Sequence, residues 1–191
     1  LVNAFDMGYQ MDDPWKAEME TRCVLAPLLV TQAQTALISQ QIAHAERLLQ
    51  KAIEIEPHNK DARLAIAEIL LSPSRVTPAL LQESINHLEI GLLSDPDYVM
   101  TRTKYGWALF LAHRFDEARV IWMEIIKDEP LHGPALSNLA QLEAQSQNFQ
   151  EAYNYYRRAF LVPEDSPFAV SRHPALRSGI NFRFALVAKK V

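Results

Sequence analysis

Six histidines, at positions 44, 58, 87, 113, 132 and 173, and one cysteine, Cys23, are the side chains on which metal binding or nucleophilic catalysis could rest in this sequence. A metal site needs ligands brought together in sets by spacings such as H-E-x-x-H or C-x-x-C, and neither spacing occurs. His44 and His113 fall beside expected inter-helix turns, and His58 and His132 beside prolines. Such places face solvent, so these histidines are read as surface residues. There is no G-x-S-x-G nucleophile elbow, no phosphate-binding P-loop and no G-x-G-x-x-G. Cys23 shares an apolar stripe with Trp15 and Met19 at helical spacing and reads as a small core residue. The many carboxylates fall on the polar faces of amphipathic segments. No catalytic residue, no cofactor and no metal is therefore expected, and a single cysteine excludes an internal disulfide.

The elements that carry these residues are helices. The 191 residues are 49% apolar and 22% charged, the profile of a globular chain, and only five are glycine. Alanine, leucine, glutamate and glutamine dominate, and all favour helix. The net charge is −4, unevenly spread. After Asp165 come Arg172, Arg177, Arg183, Lys189 and Lys190 with no acid, a basic end expected to lie against an acidic body rather than to bind nucleic acid. No run of 18 apolar residues occurs, so no membrane insertion is expected. The sequence opens at Leu1 without a signal-peptide pattern and reads as a processed protein or an excised piece, its compartment open between cytoplasm and periplasm.

Four segments end alike, in a helix followed by proline: AERLLQKAIEIEP (45–57), SINHLEIGLLSDP (84–96), ARVIWMEIIKDEP (118–130) and AYNYYRRAFLVPED (152–165). Their prolines, at 57, 96, 130 and 163, are spaced by 39, 34 and 33 residues. Small residues recur where two helices must approach closely. Tyr105-Gly106, Leu109, Ala118, Trp122 and Pro130 form the fullest unit. Ala33, Ala45, Leu49, Ala52 and Pro57 match it, as do Ile66-Ala67, Ser84, Leu88, Gly91 and Pro96, and Leu139-Ala140, Ala152, Tyr156 and Ala159. The extra residues of the second unit are supplied by SPSRVTP (72–78), a longer inter-helix loop. Asp116 is placed to cap the second helix of the third unit.

This pattern resembles the tetratricopeptide repeat family over residues 26–165. The resemblance implies an all-α fold, a right-handed α-solenoid of helix-turn-helix hairpins with about four repeats (26–59, 60–98, 99–132 and 133–165). Residues 1–25 are expected to form a lead-in and an N-terminal packing helix capped by Asp13-Pro14. Residues 166–191 are expected to form a basic segment whose RFALVAKKV (183–191) is a capping helix or a partial fifth repeat.

The resemblance also implies a concave face lined by the first helix of each unit, and so a protein-binding scaffold. Carried over by position, that face comprises Val30, Gln34 and Ile38; Leu64, Glu68 and Leu71; Thr103, Trp107 and Phe110; and Ser137, Asn138, Gln141 and Gln145. Relatives that grip a carboxylate do so with cations at such positions, whereas here Lys104 is the only cation nearby, so an apolar and amide groove is implied. Its partner would be an extended peptide or helix of another protein. Trp107 reads either as a core residue packed between helices or as a ligand contact. Two other readings stay open: the repeat region of a larger enzyme such as a glycosyltransferase or of a secretion or export assembly, and a self-assembling homo-oligomer.

Overall fold

The computed structural model describes residues 14–162, with side chains from residue 24 onward, together with Val187. Eight helices and no strand occur among the described residues: α1 (Pro14–Ile38), α2 (Ile42–Ile55), α3 (Lys60–Leu70), α4 (Pro78–Ser94), α5 (Val99–Leu111), α6 (Phe115–Asp128), α7 (Gly133–Gln145) and α8 (Phe149–Phe160). α1, α3, α5 and α7 are the A helices, each packed on the B helix that follows it, and each B helix packs on the next A helix. None of these helices buries its apolar stripe alone, so the core is a chain of overlapping clusters. The first joins α1, α2 and α3, the next α3, α4 and α5, and the last two run through α5–α8.

The small-large pairs read in the sequence sit where these helices cross. Ala33 and Leu49, Ala67 and Leu88, and Ala140 and Tyr156 are buried together in their clusters, and Gly106 lies against Trp122. SPSRVTP forms the connection between α3 and α4, where Pro78 occupies the first turn of α4 and Thr77 accepts from the Leu80 amide at 3.3 Å. Arg75 in that loop reaches back to Glu46 of α2 at 2.6 Å, tying the insertion to the preceding hairpin.

Three local expectations are corrected. The first A helix does not begin afresh near residue 26: α1 runs unbroken from Pro14 through Pro27. Pro27 removes one helical amide, but Ala26, Val30, Ala33 and Ala36 keep a continuous buried stripe on both sides of the lesion. Asp116 caps nothing. Arg114 is the N-cap of α6 without a side-chain bond, and Asp116 instead accepts from Arg119 at 3.0 Å. His132, expected at the surface, is fully buried. The N-terminal lead-in and the C-terminal segment lie outside the described residues, save Val187, which is helical and buried against Ala140, Ala152 and Tyr156.

Three of the A-to-B turns share one stop signal that contains no glycine. Gln40, His113 and Gln147 have φ of 58°, 60° and 64°. Each donates its amide three residues back, and the next amide donates five back: Gln41 to Ala36, Arg114 to Leu109 and Asn148 to Glu143, at 2.8–2.9 Å. This is the Schellman pairing, in which a left-handed residue ends the helix. A side chain with a Cβ pays for that conformation, and glycine does not. Gln40→Gly and Gln147→Gly are each expected to stabilise the fold by about 0.5–1 kcal/mol in urea unfolding. His113→Gly should gain less, because His113 also meets the Phe115 ring edge-on at 5.5 Å. Destabilisation by all three would show that the side chains, not the backbone, hold these turns.

Candidate partner-binding groove

α3 packs on α5 and α5 on α7, so these three A helices form one continuous face. An A helix inside such a stack is flanked by B helices behind and by A helices beside it, which leaves only a narrow strip exposed. The positions named from the sequence divide accordingly. Gln34, Ile38, Glu68 and Gln145 are exposed, Ile38 by 85%. Trp107, Ser137, Asn138 and Gln141 are half-buried. Val30, Leu64, Leu71, Thr103 and Phe110 are buried. Thr103 donates its hydroxyl to the Val99 carbonyl at 2.7 Å, and Ser137 donates to Gly133 at 2.8 Å, so both hydroxyls serve their own helices.

Trp107 sits at the middle of the face and belongs partly to the core. Its ring stacks on Phe110 at 5.3 Å with 19° between planes, and Phe110 in turn meets Phe115 at 5.5 Å and Trp122 at 6.2 Å. One edge is thus held by an aromatic row while part of the ring remains accessible. Beside it, Lys104 of α5 is paired with Glu68 of α3 at 2.9 Å, with side chains 37% and 43% exposed. The sequence singled out both residues separately, but only the packing of α3 on α5 makes them partners.

Behind this face the A helices are fixed by polar ties, most of them part-buried. Glu143 of α7 accepts from Arg119 of α6 at 2.9 Å and from Asn148 at 2.7 Å. Arg63 of α3 donates to the Pro57 carbonyl at 2.6 Å and lies 3.1 Å from His87 of α4. The Tyr105 hydroxyl donates to Glu89 at 2.9 Å, and burial together with that carboxylate pushes its pKa up to about 12, so it stays a donor. Among the described residues no set of three or more His, Cys, Asp or Glu is placed to hold a metal ion, and no helix is long and apolar enough to cross a membrane.

No family model and no curated protein matches the chain in sequence. Solved structures do match in fold. PilF of Pseudomonas aeruginosa is 20% identical with a TM-score of 0.64, over 87% of this chain and 78% of that one. A thermophilic tetratricopeptide repeat protein of Thermus thermophilus is 16% identical with a TM-score of 0.68, over 87% and 85%. YrrB, described as a tetratricopeptide repeat protein with an unusual peptide-binding site, is 16% identical with a TM-score of 0.60, over 77% and 73%. With small and large residues in register at each helix crossing, and helix pairs stacked into overlapping cores, the chain has the fold of the tetratricopeptide repeat proteins.

Proposed function

We propose that this chain is a non-catalytic scaffold that holds an extended segment or helix of a partner protein along its A-helix face. The observation that carries the reading is the part-exposed Trp107, braced by Phe110, with Glu68 on the neighbouring α3 and Asn138 and Gln145 on the neighbouring α7. A rigid aromatic edge supplies apolar contact at low entropic cost, and the amides of α7 beside it match a peptide backbone. The likeness to YrrB, itself described as having a peptide-binding site, supports the same use of the face. Affinity for such a strip is expected near micromolar, about −8 kcal/mol.

The test is affinity capture from a lysate with the wild-type chain and three variants, followed by identification of what is retained. Trp107→Ala removes the anchor. Because Trp107 also packs in the core, Gln34→Arg and Gln145→Arg at exposed positions provide variants that leave the fold intact. A partner held by the wild type should fall at least about tenfold in retention on each, the size of one lost hot-spot contact. Retention unchanged in all three would sink the groove assignment.

A further inference from the structure

The charges of the A helices are all spoken for among the described residues. α1 from residue 24 to Ile38 carries no Lys, Arg, Asp or Glu. On α3, Lys60 pairs with Asp95, Asp61 lies beside the Tyr98 hydroxyl, and Arg63 is turned inward to Pro57 and His87. On α5, Arg102 pairs with Glu124 of α6 at 2.9 Å, and on α7 Glu143 is buried against Arg119. That leaves Glu68 and Lys104, which cancel one another across the α3–α5 seam. Around Trp107 the described A helices therefore present amides and apolar surface, with the charges of Glu68 and Lys104 paired to one another.

A charged ligand residue laid on such a face would lose water without gaining a counter-ion. We propose that the groove selects an uncharged extended segment of its partner, and that Glu68 sets this preference by occupying Lys104. The inference rests on the groove reading above and names the chemistry of its occupant. Among the described residues Lys104 is the cation beside Trp107 that a ligand carboxylate could use. Its ammonium is held at 2.9 Å by a carboxylate of the same molecule, which competes with any acidic ligand. Both side chains are more than a third exposed, so the pair contributes little to stability and either partner can be changed without unfolding the chain.

The experiment is a synthetic peptide array probed with the full chain. One set holds short extended peptides of Asn, Gln and Ser around a central Leu or Phe, capped at both ends. Two matched sets carry Asp or Glu, and Lys or Arg, at the polar positions. The wild type is expected to retain the uncharged set best, with less than about twofold change between low and high salt. Glu68→Gln frees Lys104 and should raise binding of the acidic set by about three- to tenfold, a gain lost at high salt. Lys104→Gln frees Glu68 and should raise the basic set instead. The proposal is overturned if the wild type binds neither better than background nor preferentially to the uncharged set, or if both variants leave the ranking unchanged. Should that happen while Gln34→Arg and Gln145→Arg still abolish partner capture, the groove stands and only its uncharged preference falls.

Discussion

Replacing Gly106 by alanine is expected to destabilise the chain by about 2 kcal/mol or more, although alanine is the better helix former by about 1 kcal/mol. A Cβ at Gly106 would stand 2.5 Å from Trp122 Nε1, 2.8 Å from Cε2 and 3.1 Å from Cδ1. The indole cannot step aside. It is fully buried, its N–H donates to the Thr103 carbonyl at 3.2 Å, and Phe110 tilts against it at 6.2 Å. The methyl must therefore pry α5 from α6, and urea unfolding of Gly106→Ala should show it. Gly91→Ala is the contrasting case. There the nearest atoms to the added Cβ lie at 3.7–3.8 Å, ordinary contact, so the helix gains about 0.5–1 kcal/mol from the substitution.

The repeats themselves suggest the rescue. Where the third unit has Gly106 and Trp122, the first has Ala33 and Leu49 and the second Ala67 and Leu88, all buried. Gly106→Ala combined with Trp122→Leu rebuilds that alanine-leucine pairing and should recover part of the loss. A double-mutant cycle would then give a coupling free energy of about 1–3 kcal/mol. Losses that simply add would show that the glycine is not required by the indole.

These pairs explain why so much of the fold could be read in advance. A helix crossing admits only certain sums of side-chain volume, so alanine or glycine opposite leucine, tyrosine or tryptophan recurs at a fixed spacing, and the five-residue lengthening of the second unit stands out as SPSRVTP. Features set by backbone conformation left weaker marks. The left-handed turns at Gln40, His113 and Gln147 carry none of the glycine that usually announces them. α1 runs through Pro27, with Ala26 and Val30 buried beside it. At the candidate groove, positions carried over from the family resemblance could not say how deeply each side chain sinks between neighbours. Leu64, Leu71, Thr103 and Phe110 are buried by packing between helices, which no single helix encodes.

His132 is the sharpest such case, and it makes stability depend on acidity. It occupies the N-cap of α7, fully buried, and its Nδ1 accepts from the Ala135 amide at 3.1 Å. Only a neutral ring can accept there, and burial holds the His132 pKa down to about 4, against 6.5 for a free histidine. The unfolded chain therefore takes up this proton first. The cap's contribution is whole above about pH 6.5 and is lost as the pH falls towards about 4, where the total reaches about 3 kcal/mol. By about pH 5 the loss from this one group should be about 2 kcal/mol. His87, whose pKa is lowered by burial and then by Arg63, acts in the same direction, so the wild type alone cannot isolate the effect. Asn59 supplies the control: at the matching N-cap of α3 it accepts from the Ala62 amide at 2.8 Å with a side chain that does not titrate. His132→Asn should therefore keep the cap near neutral pH and lose less stability than the wild type on acidification. Urea unfolding of both chains at about pH 7.5, 6 and 5 measures the difference, which should widen by about 2 kcal/mol across that range. Parallel curves would mean that His132 is reached by protons in the folded state at its ordinary pKa, and that the seam between α6 and α7 is looser than its packing implies.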